Sequence, residues 1–87
     1  MNKDTLPDLK PGRYRHYKNQ DYAVLRLARH SETEEVMVVY QQLYGSYGWW
    51  VRPYKMFVES IVVDGRTRPR FTYIGPPDAE CYRVSGD

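Results

Sequence analysis

Turn signals recur so often along this chain that the stretches between them are short. Leu9-Lys10-Pro11-Gly12 reads as a turn entering a domain, and Lys18 to Asp21 as a second, where Asn19 suits a left-handed backbone. Residues 31–35, "SETEE", break the pattern again. Ser31 and Glu34 fit a capping box, but the "VMVVY" behind them favours strand, so a turn is expected there rather than a helix. Residues 43–48, "LYGSYG", form a hairpin turn in which Gly45 and Gly48 can take positive φ, and Asp64-Gly65 is a two-residue hairpin signal. A chain cut this way builds strands and tight turns.

The intervening segments agree. "GRYRHY" alternates, with Arg13, Arg15 and Tyr17 on one side and Tyr14 and His16 on the other. In "YAVLRLARH", Ala23, Leu25 and Leu27 share a face opposite Tyr22, Val24 and Arg26. Val36 to Gln42 is apolar on both faces, which predicts a central strand. "WWVR" returns beside it and stops at Pro53, and "YKMFVES" has no clean period. "IVV" and "RTRPRFTYI" flank Asp64-Gly65, with Pro69 marking an edge or a bulge. The expected fold is all-β: a small, partly closed antiparallel barrel of about five strands over residues 12–74. Residues 1–11 form an N-terminal extension and 75–87 an irregular C-terminal tail. Leu25, Leu27, Val38, Tyr40, Val51 and Phe71 are the expected core.

Eighty-seven residues make one domain with a small core. Large rings fill such a core efficiently, and aromatics are 15% of this chain, nine of them tyrosines. The formal charge of +2 is far more balanced than a general nucleic-acid binder shows. Cys81 is the only cysteine, so neither an intrachain disulfide nor a Cys-x-x-Cys zinc pattern is available, and no cofactor is implied. The first residues lack a signal peptide's apolar run and no segment has a bilayer-spanning length, so a cytoplasmic protein with no membrane contact is expected.

The elements "GRYRHYK", "HSETEE", "VVYQQLYG", "WVRPYKMF" and "DGRTRPRF" occur in that order, over about residues 11 to 74. Together they resemble a small bacterial family catalogued as domain of unknown function 1653. The resemblance implies a compact SH3-type β barrel, in agreement with the strand count. It supplies no biochemical role. Where the family often has glycine after its first lysine, this chain has Asn19, the commonest non-glycine residue at a left-handed turn.

Two surfaces are candidates for function. Trp49 and Trp50 are adjacent, so one ring faces inward and the other outward on a strand. Trp50 shares its phase with Arg52 and is the expected core member. Tyr47, Trp49, Arg52 and Tyr54 then form a candidate groove for a protein or peptide, a second copy of the domain included. Packing of both tryptophans is the competing structural reading, and Arg52 suits structural anchoring better than ligand contact. The second surface is basic. Arg66, Arg68 and Arg70 fall on one strand face about 7 Å apart, near the spacing of phosphates, and Arg13 and Arg15 add a pair beside tyrosines. Protection of an edge strand, or pairing with Glu32, Glu34, Glu35 or Glu59, explains the same charges. A non-catalytic protein- or peptide-interaction module is therefore the first reading and single-stranded nucleic-acid binding the alternative. A hydrolase-like enzyme using His16 or His30 is remote, because no nucleophile, base and carboxylate are spaced for it. His30 is expected to fix the turn beside Thr33 through side-chain-to-backbone hydrogen bonds.

Overall fold

The structure, a computed structural model, describes residues 5–83; the outermost parts of the expected N-terminal extension and C-terminal tail lie outside them. Among the described residues seven strands form in chain order: β1 Gly12–His16, β2 Asp21–Arg29, β3 Val36–Gln42, β4 Trp49–Pro53, β5 Ser60–Val63, β6 Arg66–Pro69 and β7 Phe71–Gly75. A four-residue helix, α1 Tyr54–Phe57, lies between β4 and β5. One antiparallel sheet has the order β4-β3-β2-β1-β7, and β5-β6 is a separate two-stranded ribbon. Among the described residues no helix is long and apolar enough to cross a membrane.

The turns carry the conformations their residues suit. Asn19 sits at φ 69°, and Asp64 and Gly65 are both at positive φ, as a tight hairpin requires. His30 Nδ1 accepts hydrogen bonds from the backbone N–H groups of Glu32 and Thr33, so the turn before β3 is pinned by a side chain. The Leu43–Gly48 turn departs from expectation at one point: Gly45 and Tyr47, not Gly48, take the left-handed conformation. Gly12 answers to a different constraint. A Cβ there would lie 2.4 Å from the Gly75 carbonyl oxygen, so glycine lets β1 and β7 close on each other.

β4 and β7 are the two edges of the sheet, about 19 Å apart if it were flat. Yet the Arg52 guanidinium of β4 lies 5.9 Å from the ring of Phe71 in β7, and Phe57, just beyond β4, stacks on Phe71 with centroids 4.0 Å apart. The sheet therefore rolls until its edges meet across a shared core, without pairing into a closed barrel. Tyr14, Val24, Val38, Tyr40, Phe57 and Phe71 are that core, with Leu9, Tyr22, Leu27 and Tyr54 packed against it. Tyr14, Tyr22, Tyr40, Phe57 and Phe71 meet mostly edge to face, the favoured geometry for ring quadrupoles. Burial pushes the Tyr14 hydroxyl up to about 12, and it donates to the Lys10 carbonyl.

Val38, Tyr40, Phe71 and Leu27 thus belong to the core or its margin, but Leu25 and Val51 do not. A bulge between Val24 and Arg26 leaves Leu25 without a partner in β3 and shifts the phase of β2. The inward residues are Val24 before the bulge and Leu27 after it, and Leu25 is 38% exposed. Val51 pairs with Val39 on the opposite face of the edge strand and is 60% exposed. The expected single strand "RTRPRFTYI" is also divided. It breaks at Arg70, β6 joining β5 and β7 joining β1.

Candidate functional site

The back of the sheet is covered by a length of the same chain. Residues 76–83 have no strand or helix, yet they are fastened to the sheet by side chains. Arg13, on the outward phase of β1, donates to Asp21, Asp78 and Glu80 together. These hydrogen bonds raise the Arg13 pKa above its ordinary value. Asp78 is held below the usual carboxylate range first by Arg13, and Glu80 first by the Tyr47 hydroxyl and then by Arg13. Gln41, fully buried in β3, donates through Nε2 to the carbonyls of Tyr47 and Arg83. Its Oε1 accepts nothing from the described residues. Tyr82 stacks on Trp49 and donates to the Val24 carbonyl.

This strap accounts for part of the expected aromatic groove. Tyr47 is bound through its hydroxyl to Glu80, with the Arg83 guanidinium 4.7 Å from its ring centre. Tyr54 packs at the margin of the core. Arg52 points along the core face, its Nε 3.4 Å from the Tyr40 hydroxyl, which is structural anchoring rather than display. The structure does not gather Tyr47, Trp49, Arg52 and Tyr54 into one groove, since Trp49 and Arg52 lie on opposite phases of β4. Trp50 is not the core tryptophan. It has the inward phase, but it stands beyond the packed rings and is 55% exposed, with Nε1 donating to Gln42 Oε1 at 2.7 Å. Trp49 is 40% exposed over Tyr82.

What these residues do form is an open strand edge. Gln42 N–H bonds the Gly48 carbonyl, and alternation along the antiparallel register then turns the backbone groups of Trp50 and Arg52 toward β3. Those of Trp49, Val51 and Pro53 face outward, where no described residue pairs with them. Pro53 lacks only a donor that would have faced solvent, the one place a sheet tolerates proline.

The basic residues are likewise divided. Arg13 is consumed by its three carboxylates, Arg15 is bound by Asp21 through Nε and Nη2, and Arg70 pairs with Glu59. Arg66 and Arg68 lie exposed on β6 and have no ion pair among the described residues. The break at Arg70 removes it from the row the spacing implied. His16 and His30 stand at opposite ends of β2 and share no cleft. His16 lies against Tyr17, Tyr22 and Phe71, with its Nδ1 accepting the Lys18 N–H, and burial followed by Arg70, Arg52 and Lys18 lowers its pKa. Cys81 is half-buried beside Asp78, and burial raises its thiol pKa. The opposite phases of Trp49 and Trp50, and a tail covering one of them, were within the sequence reading, but the polar bonds that fasten the strap were not. Their trace there was the set Asp78, Glu80 and Arg83 with Tyr82 in "PPDAECYR".

The family model for proteins of unknown function, DUF1653, matches residues 12–73. A crystal structure of a DUF1653 protein from Bordetella bronchiseptica is 41% identical to this chain, with a TM-score of 0.74, covering 82% of this chain and 94% of that one. No curated protein matches. The chain belongs to the DUF1653 family.

Proposed function

We propose that this DUF1653 domain is a non-catalytic interaction module that takes an extended peptide segment along the open edge of β4. The carrying observation is the outward backbone of Trp49 and Val51, unpaired among the described residues and flanked by side chains that are 40–60% exposed. An extended segment added there gains main-chain hydrogen bonds from the edge, while alternate side chains meet Trp50 on one face and Trp49 with Val51 on the other. Proteins commonly blunt such edges with lysine or an inward charge. This one has Arg52 turned inward and Pro53 at its end, which limit the pairing to a few residues, but its other outward positions carry an indole and a valine.

The test begins with peptides selected from a displayed random library against the whole domain. Addition of a selected peptide is expected to slow hydrogen exchange at the Trp49 and Val51 amides. Val51→Pro should abolish binding, since it removes an outward donor and no internal one. Peptides that protect no β4 amide, or bind Val51→Pro equally well, would overturn the reading.

A further inference from the structure

A second surface lies away from the β4 edge. The turn after β1, the outer face of β7 and the strand β6 enclose a cleft of about 330 Å³. Its walls include Arg15, His16, Tyr17, Thr67, Arg68 and Thr72, and none of its lining residues is a carboxylate. That volume is at the small end of the range for ligand pockets.

The donors converge for a structural reason. Arg15 and Thr72 are directly paired across β1 and β7, so they stand side by side on the outer face. The chain bends at Arg70 between β6 and β7, and Thr67 and Arg68 line the same cleft as Arg15 and Thr72. Asp21 binds Arg15 through Nε and Nη2, orienting the guanidinium and leaving Nη1 without a partner among the described residues. Arg68 has no ion pair among the described residues. Lys18, outside the lining itself, holds its Nζ 5.8 Å from the centre of the Tyr17 ring. Asp21, the carboxylate that holds Arg15, is already shared with Arg13, and Asp64 lies with Thr67 and Arg68 around a neighbouring cavity.

We propose that this cleft binds a small phosphomonoester, with Arg15 and Arg68 on the phosphate, the Thr67 and Thr72 hydroxyls completing its shell, and the Tyr17 ring with Ile74 as walls for the organic part. Guanidinium groups match phosphate geometry, and charge-assisted hydrogen bonds to it are the strong ones. The number of free cations decides the size of the ligand. A nucleic-acid strand needs a track of phosphate contacts, but Arg13 and Arg70 are committed to carboxylates and Arg15 keeps only Nη1 beyond its pairing with Asp21. Two guanidinium groups facing one cleft suit one phosphate.

The experiment is a nuclear magnetic resonance titration of the full chain with inorganic phosphate and with adenosine monophosphate, at constant ionic strength against chloride. A single-stranded oligothymidylate serves as a third arm. Both phosphates are expected to shift the amides of His16, Thr67, Arg68 and Thr72 saturably. Arg68→Ala should weaken binding by about tenfold or more, while Arg68→Lys keeps part of it. Because Arg68 is exposed and makes no ion pair among the described residues, neither variant is expected to alter the folded spectrum elsewhere. No saturable shift, or equal binding by Arg68→Ala, overturns the proposal. So does an oligonucleotide that binds more tightly than the monophosphate with a salt slope of several phosphates. These outcomes are separate from peptide binding at β4, which Arg68 does not approach.

Discussion

The front of the five-stranded sheet packs rings against rings, while its back binds a length of its own chain through charges and amides. On the front, Phe57 is 1% exposed and stacked on Phe71, with three tyrosines around the pair. That stabilisation is area removed from water plus ring geometry, and its titratable contact near neutrality is His16, packed on Tyr22 and Phe71 and held toward its neutral form by burial. On the back, Arg13 holds two strap carboxylates and Asp21, and Gln41 holds strap and turn carbonyls. Those bonds replace bonds to water, so each contributes less, and solvent screens the exposed carboxylates. The comparison teaches that burial and stability are distinct here. Gln41 is as buried as Val38, but it serves to position the strap rather than to supply apolar area.

The largest expected effect breaks the front. Phe57→Ala should lower unfolding free energy by about 3–5 kcal/mol in denaturant titration, because the residue is large, buried and stacked. For a small domain that approaches total stability. A loss below that of Arg13→Ala would invert the ranking of the two faces.

Arg13→Ala tests the back and should cost about 1–3 kcal/mol, less than Phe57→Ala, since water replaces part of what is lost at Asp78 and Glu80. It should also free the strap, read as a change in Trp49 emission when Tyr82 leaves the indole.

Acid should do the same by another route. Asp21, Asp78 and Glu80 have depressed folded pKa values, caused first by Arg15, Arg13 and Tyr47 respectively. A depressed carboxylate contributes stability above its unfolded pKa and loses it as pH falls through the folded value. Trp49 emission is therefore expected to change only below about pH 4, the ordinary carboxylate range. Near-ultraviolet tyrosine signals from the front should persist at that pH. Simultaneous loss of both signals would show that the faces do not separate.

The smallest effect concerns Leu25. At 38% exposure in a bulge, Leu25→Ala should cost under about 1 kcal/mol by area. A cost of about 2–5 kcal/mol, proper to a buried leucine, would place it back in the core.

Much of the front was legible because its signals are local. Val36–Gln42 reads as a central strand from its own composition, and it is flanked on both sides by β2 and β4. Asn19 and Asp64-Gly65 announce their turns through backbone preferences that need no partner. The failures share a different cause. One bulged residue at Leu25 reverses the phase of everything before it relative to Leu27, and alternation alone cannot locate the bulge. Trp50 has the inward phase it was expected to have, but whether packed rings reach that far along β4 depends on where α1 and β7 close. The five arginines looked equivalent in sequence, and only their carboxylate partners separate Arg13, Arg15 and Arg70 from Arg66 and Arg68.

The sequence by itself determined the all-β character, where most strands and turns fall and the aromatic substance of the core, since each follows from propensities acting over a few residues. It did not determine the break at Arg70. Tertiary structure alone decided which edge stays open, which arginines remain free and what covers the back of the sheet. Arg13 with Asp78 and Glu80, Gln41 with Arg83, and Trp49 with Tyr82 are joined across 33 to 67 positions of chain. No local preference brings such residues together; the rolling of the sheet and the return of the chain across its back do.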